Sequence, residues 1–493
     1  MSLLMPIKKN SKALLCATLA VLGTANTPQA LSGEISTYGQ AVAAALQTNP
    51  AMTAAYYEFE AARESQKVFE GGLYPSVDLS AEYGWENRET PIQNFGEYER
   101  DAVRFSVTQL LFDGFQTRDE ARARGYEKLA KYYEFDSAAQ QIALEATDAY
   151  LTTVLYQNLV RFAEQNYVTH RVVFNKIIER AEGGVSQRVD LEQATARMAL
   201  AESNLLTETT NLHDTRTEFQ RVIGSLPVGT LPLPTIPSGM IPALREEALT
   251  LAYKQSPEIN SAIESLRASQ ETVNASRGPM FPRLDVRYRN EQETNTDGII
   301  GDFDLQAVEL VLTYNFYRGG ADGARRRENA NRYYAAVEAR KQACLNVRSE
   351  SMIAFNDVRA LEQQVIYLQE QLDAQDKARR AYEDQFDIGQ RTLLDLLDSQ
   401  NEYFDTQRAL VSARTNLASS QAKTLAKLGM LTRSLDAKGF NADKLAALEL
   451  VLTRDASENI GVCPAGVPQE IIIDQEAVFE RLNARAALTD GMM

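Results

Sequence analysis

The feature that most constrains this 493-residue chain is an internal duplication. Short patterns of the first half recur in the same order in the second half, first 207 and then 205 residues later. Because a repeated pattern indicates a repeated structural unit, we expect two similar halves, with the change of offset absorbed in a loop. The matching pairs are Thr48-Asn49-Pro50 with Gln255-Ser256-Pro257, Leu73-Tyr74-Pro75 with Met280-Phe281-Pro282, Phe112-Asp113-Gly114 with Tyr317-Arg318-Gly319, Gly184 with Gly389, Val189-Asp190-Leu191 with Leu394-Asp395-Leu396, and Ile223-Gly224 with Leu428-Gly429.

Composition divides the chain into five segments. Residues 1–25 predict a signal peptide, since lysines precede an apolar run that is too short to span a bilayer, and position 30 is a second cleavage candidate. The repeats are predicted at 31–224 and 245–430. Between them, 225–244 holds one third of the prolines and predicts an extended linker. The remaining segment, 431–493, predicts a C-terminal extension that is equatorial or partly disordered.

Each half contains two stretches with the period-two alternation of β-strands, at about 76–87 and 101–112, and at about 283–293 and 304–317. The segments 88–100 and 294–302 read as loops. Aromatic residues near the strand ends are typical of a membrane-interface girdle. A hairpin packed on a soluble core is the alternative, and the lack of further predicted strands weakens it. The aromatic residues are Trp85, Tyr98, Phe112, Phe281, Phe316 and Tyr317.

Long runs without proline predict helices at about 117–182 and 322–387. At 1.5 Å per residue each would be a rod of roughly 100 Å. An apolar stripe with alternating steps of four and three predicts coiled-coil packing against the shorter helices at about 187–223 and 392–428. Each half is also expected to open with one helix, at 38–71 and 244–276. The stripe consists of Ala354, Val358, Leu361, Val365, Leu368 and Leu372.

Four strands are too few to close a channel, whereas three chains would supply twelve. The predicted fold class is therefore a mixed α/β membrane protein. Long antiparallel coiled-coil helices and four β-strands per chain would complete a 12-stranded β-barrel and an α-helical tunnel as a homotrimer.

Charge and motifs exclude several functions. The net charge of −16 disfavours a nucleic-acid partner. The sequence has no phosphate-binding, dinucleotide or zinc-protease motif, so we expect neither an enzyme nor a cofactor nor a metal site. The two histidines, His170 and His213, are expected on helix surfaces. Beyond the signal segment only Cys344 and Cys463 remain, and two unpaired thiols are favoured over a disulfide because Cys344 is predicted mid-helix.

At its repeated motifs the chain resembles the TolC-like outer membrane channels of bacterial efflux and type I secretion, over about residues 38–430. The motifs are Asn49-Pro50 and Ser256-Pro257, Tyr74-Pro75 and Phe281-Pro282, Leu111-Phe112-Asp113-Gly114 and Tyr317-Arg318-Gly319-Gly320, and the run from Gly389 to Asp398.

The resemblance implies a homotrimeric exit duct in the outer membrane of a Gram-negative bacterium, extending into the periplasm. The implied partners are outer membrane lipid, a periplasmic adaptor (membrane fusion) protein and an inner-membrane ABC or proton-driven transporter. Drug efflux and type I protein secretion both remain open. The alternative function is a periplasmic coiled-coil adaptor or tether without a pore.

The resemblance also implies a gate at the periplasmic helix tips. Asp395 and Asp398 match an aspartate pair that narrows the entrance and binds cations, and their spacing of three puts them on one helix face. Arg391 matches a latch arginine, with Asp190 as its acidic partner. At the family's threonine and tyrosine positions this chain has Val189 and Phe386, which lack the hydroxyl groups of the family's latch.

Two glycine-containing turns at the tips resemble the sites where the adaptor docks, because glycine lets the backbone turn sharply. They are Gly183, Gly184 and Val185 in the first half, and Ile388, Gly389 and Gln390 in the second.

Overall fold

The computed structural model describes residues 35–183, 188–435, 463–464, 466–467, 474 and 476–481. The predicted signal peptide, as well as Gly184 and Val185 of the first predicted turn, lie outside the described residues. Within them the same order of elements, two helices, two strands and two helices, occurs twice. The first set is α1 Tyr38–Thr48, α2 Pro50–Gly71, β1 Ser76–Glu89, β2 Asn94–Phe112, α3 Gln116–Glu182 and α4 Arg188–Ile223. The second set is α5 Arg245–Gln255, α6 Pro257–Ala275, β3 Arg283–Thr294, β4 Asp302–Thr313, α7 Ala321–Asp387 and α8 Leu393–Lys427, and the short α9 Leu431–Ser434 follows.

The expectation of one opening helix in each half is wrong, because each is broken before a proline. Asn49 has extended dihedral angles, and its side chain accepts a hydrogen bond from the amide of Ala51 at 2.9 Å. Pro50 then begins α2, where its missing N–H costs nothing. Ser256 and Pro257 make the same break between α5 and α6.

The four strands form one antiparallel sheet in the order β1-β2-β3-β4. One correction concerns β2, which begins at Asn94 and pairs with β1 over most of the predicted loop, so that only 90–93 separate the two strands. The other is β4, which ends at Thr313 rather than near 317.

The two faces of the sheet differ in chemistry. On one face, Val77, Val107, Tyr288 and Val308 lie side by side across all four strands. Trp85, 73% exposed, lies on the same face of β1. In a single chain this face leaves large apolar side chains in contact with solvent, which requires a covering partner or lipid.

The other face carries a network of cross-strand ion pairs. Arg104 of β2 reaches Glu82 of β1 and Glu293 of β3, both at 2.6 Å. Arg289 of β3 reaches Glu309 of β4 at 2.7 Å. A sheet with one apolar and one charged face fits a position between lipid and water.

The helices form a layer with two open edges. Near the sheet, the order of neighbouring helices is α2, α3, α6, α7, and farther away it is α4, α3, α8, α7. The interior helix α3 therefore has neighbours on both sides, while α7 is the last helix in both orders, with α5 also packed against it. Among the described residues, no helix combines the length and the apolarity needed to cross a membrane.

Two expectations for buried residues are also wrong. Cys344 of α7 forms a disulfide with Cys463, which packs beside Leu249 and Ile259 in an apolar core. Tyr253 donates a hydrogen bond to the carbonyl oxygen of Pro464 at 3.1 Å, so the C-terminal segment is anchored here. His170 is only 2% exposed rather than a surface residue.

Candidate functional site at the helix tips

The predicted site residues lie at the ends of the long helices farthest from the sheet. Helix α3 begins four residues after β2 and runs for 67 residues, which places its end roughly 100 Å away. The helix pair α7 and α8 makes a second hairpin that reaches the same level, because side chains of both hairpins share one apolar cluster there.

Glycine has different roles in the two tip turns. At the end of α7, the amide of Gly389 donates to the carbonyl of Phe386 and that of Gln390 to the carbonyl of Gln385, with Gly389 at φ +78°. This pair of hydrogen bonds is the Schellman motif, which requires a residue with left-handed backbone angles and so favours glycine. Gly183, in contrast, has φ −73°, a conformation open to any residue.

A small apolar cluster holds the two hairpins together just above the turns. Its buried members come from all four tip helices, and burial of such side chains is the main source of packing energy. They are Val173, Ile177, Ala194, Phe386, Leu393, Leu396 and Leu397. The cluster accounts for Phe386, which occupies the predicted tyrosine position and is buried beneath the Arg180 guanidinium at 4.8 Å from its ring centre.

Asp395 is engaged in capping its own helix. Its carboxylate accepts hydrogen bonds from the hydroxyl of Thr392 at 2.9 Å and from the amide of Thr392 at 3.3 Å. The Thr392 hydroxyl in turn accepts from the amide of Asp395 at 3.2 Å. This capping box satisfies amide groups at the start of α8 and brings a negative charge to the positive end of the helix.

Arg391 contacts the hairpin to which it belongs. Its Nε donates to Oε1 of Gln385 at 2.9 Å, and its guanidinium lies 4.5 Å from the ring centre of Tyr382. A carboxylate oxygen of Asp395 is 3.9 Å away. The structure therefore brings together Arg391 and Asp395, and the ion pair between Arg391 and Asp190 is not among the ion pairs of the described residues.

Asp398 lies one turn beyond Asp395 and reaches across to the other hairpin. Its carboxylate pairs with Arg197 of α4 at 2.7 Å. A second pair, Lys176 of α3 with Asp387 of α7 at 3.2 Å, also joins the hairpins. All four side chains are partly exposed, so each pair contributes about 0.2–1 kcal/mol.

The buried His170 lies behind these contacts. Its Nε2 hydrogen-bonds the amide oxygen of Asn401 on α8 at 3.3 Å, while Nδ1 and the Asn401 amide nitrogen have no hydrogen-bond partner among the described residues. Burial lowers the pKa of His170, and the nearby positive charge of Arg197 lowers it further. The neutral imidazole is thus the form that this packing favours.

Four contributors were missed in the sequence: Arg197, Lys176, Tyr382 and His170. Arg197 and Asp398 are 201 residues apart, and no local pattern links them.

Comparison with known proteins agrees with this architecture. The outer membrane efflux protein model matches residues 41–225 and 248–429, which is most of both repeats. The chain is 23% identical over 425 residues to the outer membrane efflux protein BepC of Brucella suis biovar 1, covering 86% of this chain and 91% of BepC. It is 21% identical over 474 residues to the outer membrane protein TolC of Escherichia coli K12, covering 90% and 92%.

A solved structure has the same fold. The Campylobacter jejuni CmeC outer membrane channel superimposes with a TM-score of 0.71 at 16% identity, covering 94% of this chain and 97% of CmeC. The duplicated order of elements, the two-faced sheet and the match of the family model to most of both repeats lead to one conclusion: the chain belongs to the outer membrane efflux protein family and resides in the outer membrane of a Gram-negative bacterium, extending into the periplasm.

Proposed function

We propose that three copies of this chain form a passive exit duct, in which a twelve-stranded barrel in the outer membrane continues into a helical tunnel. The observation that carries the proposal is the sheet with one apolar and one charged face and two open edges. Closing the sheet with two further copies pairs the edge strands β1 and β4 and turns the charged face toward a water-filled interior.

The lengths of the strands and the edges of the helical layer support the same closure. The strands have 12 to 19 residues, more than the 9–11 needed to cross a bilayer. The helical layer has edges at α7 and at α2 or α4, so a copy on each side would cover both. Twelve long-helix segments around one axis leave an interior passage that needs no catalytic group.

The tips act as the entrance in this proposal. Asp395 and Asp398 of three chains would place six carboxylates around the opening. Because these negative charges repel one another, binding of cations among them is favourable. The capping box and the Arg197 pair hold these carboxylates in place. Arg391 contacts Tyr382 and Asp395 within its own chain, and Asp190 of a neighbouring chain would be the acidic partner of the latch.

The outer surface of the tips is the proposed docking surface for the periplasmic adaptor, through Gly183, Gly184 and Val185 and through Ile388, Gly389 and Gln390. An inner-membrane transporter of the ABC or proton-driven class would then deliver the substrate. The same duct serves an efflux pump or a type I secretion system, since the duct itself performs no energy-dependent step.

The test is single-channel conductance of the purified chain in planar bilayers. Small, cation-selective currents blocked by multivalent cations from the tip side are expected. Asp395→Asn with Asp398→Asn should weaken that block and still supply the capping oxygen at position 395. The matched control removes two exposed carboxylates from α4, by Glu202→Gln with Asp214→Asn, and should leave block unchanged.

Two results would contradict the proposal. The absence of current from a protein that stays dissolved without detergent would point to the tether function. Equal block in the Asn variant and the wild type would remove the tip carboxylates from the entrance.

A further inference from the structure

Charge is distributed unevenly between the two ends of the sheet. At the end with the short loops, residues 86–101 contain five carboxylates and two arginines. At the end that leads into the helices, residues 314–332 contain five arginines and two carboxylates. This local excess of positive charge stands out in a chain with a net charge of −16.

Three of these arginines have no carboxylate partner among the described residues. Arg318 pairs with Asp322 at 3.5 Å and Arg332 with Glu328 at 2.7 Å. The remaining three, Arg325, Arg326 and Arg327, form what we call the arginine patch. All three are exposed in the single chain, and because successive helix residues point about 100° apart, a neighbouring copy at the α7 edge would cover only part of the patch. The only polar contact of the patch in the described structure is a hydrogen bond from Arg326 to the Met280 sulfur at 3.3 Å.

The arginines at the corresponding place in the first repeat are different. Arg118 and Arg122 both lie beside Asp119, and Arg124 pairs with Glu127. These charges are compensated within the chain, so the patch on α7 is where an external anion is best accommodated.

The level of the patch follows from its distance to the aromatic residues that follow β4. Phe316 and Tyr317 are 91% and 81% exposed, as expected for side chains at the edge of the hydrocarbon. Helix α7 begins four residues later, and the patch lies about 6 to 9 Å along it. The headgroup layer extends roughly 5–8 Å beyond the hydrocarbon on each side.

The start of α7 adds to the positive potential at this level. Its N-cap, Gly320, has no side chain that could cap the first turn, where the amide of Ala321 donates to the carbonyl oxygen of Arg318 at 3.1 Å. Unpaired amide groups and the helix dipole both attract anions.

We propose that the arginine patch binds the phosphodiester headgroups of anionic phospholipids in the periplasmic leaflet of the outer membrane. The inference rests on the proposed barrel, since only a membrane around the sheet brings headgroups to the level of α7. Guanidinium groups suit this ligand because their forked donors match two phosphate oxygens. The contact adds an electrostatic anchor to the aromatic one and sets the depth of the sheet in the bilayer.

The experiment reconstitutes the full chain in vesicles of phosphatidylcholine, with and without phosphatidylglycerol. The ratio of the two lipids that stay bound after detergent extraction is then measured. Wild type should be enriched in phosphatidylglycerol, and Arg325→Gln/Arg326→Gln/Arg327→Gln should lose about fivefold in preference for each arginine that contacts a headgroup. The triple Arg→Lys variant keeps the charge without the forked donors and should retain only part of the preference.

A matched control changes the paired arginines at the same level, Arg118→Gln/Arg122→Gln/Arg124→Gln, and should have a much smaller effect. Insertion is monitored separately through Trp85, the only tryptophan, which lies on the apolar face of β1. Brominated lipid should quench its fluorescence in every variant that forms the barrel.

These readouts distinguish the two proposals. Trp85 that brominated lipid does not quench in the wild type refutes the barrel itself. If Trp85 is quenched but wild type and the Gln triple show equal preference for phosphatidylglycerol, lipid binding by the patch is refuted. A wild-type preference that persists in concentrated salt refutes it as well. A Gln triple that changes only the ion selectivity of the conductance would place the patch inside the duct and overturn the inference.

Discussion

The packing of Leu397 predicts that apolar contacts, rather than ion pairs, hold the tips closed. This side chain is 1% exposed and lies in the cluster that joins the two hairpins. Replacing a buried leucine by alanine costs about 2.7–5 kcal/mol. The ion pairs Arg197–Asp398 and Lys176–Asp387 are partly exposed and contribute about 0.2–1 kcal/mol each.

The comparison gives a magnitude for gating. If separation of the hairpins breaks half of the contacts of the Leu397 side chain, Leu397→Ala favours the open tips by half of that cost, about 1.4–2.5 kcal/mol. That corresponds to at least a tenfold change in the ratio of open to closed tips. Arg197→Ala should change the ratio by fivefold or less.

Single-channel recording in planar bilayers measures the ratio directly, with helix content checked by circular dichroism. The control is Leu206→Ala, since Leu206 is 70% exposed on α4 and lies outside the tip cluster. Should Arg197→Ala open the tips as much as Leu397→Ala, or should Leu206→Ala do so, the reasoning from burial would be refuted.

Three further predictions concern pH, the disulfide and the tip glycines. Burial and Arg197 hold the pKa of His170 below its ordinary 6.5, so the unfolded chain binds a proton at higher pH than the folded chain does. Tip stability is therefore lost as pH falls below 6.5. Hydrogen exchange of α3 should report this loss, and His170→Gln should abolish it. The disulfide Cys344–Cys463 links positions 119 residues apart, and its reduction should lower the free energy of unfolding by about 2–4 kcal/mol in denaturant titrations. An unchanged unfolding midpoint, or an equal response of Cys344→Ser to reductant, would contradict this prediction. Gly389→Ala should destabilise the α7–α8 turn by about 1 kcal/mol because Gly389 has a φ of +78°, whereas Gly183→Ala, at φ −73°, should not destabilise its turn. Equal amide hydrogen exchange in the two variants would count against the role of the left-handed backbone.

The long elements could be predicted from the sequence because their signals are local. Absence of proline over more than sixty residues allowed α3 and α7 to be placed within one residue of their observed starts, at Gln116 and Ala321. Alternation with period two located all four strands. Where local signals compete, prediction failed: Asn49 caps a new helix before Pro50, and the polar start of β2 pairs with β1 although its composition resembles a loop.

The resemblance supplied the candidate residues at the tips, and their contacts came from the structure. From the sequence, Asp395 and Asp398 look equivalent, yet one caps its own helix and the other pairs with Arg197 of the opposite hairpin. Arg391 lies against Tyr382, nine residues before it, because the α7–α8 turn reverses the chain between them.

The sequence by itself determined the duplication, the order of helices and strands, and the apolar face of the sheet, because each follows from spacing along the chain. Only the tertiary structure decided that His170 is buried, that Cys344 meets Cys463, and that Arg197 reaches Asp398. Each of these depends on which segments of the chain become neighbours. That choice is made by packing between residues more than one hundred positions apart, and no periodicity within one helix records it.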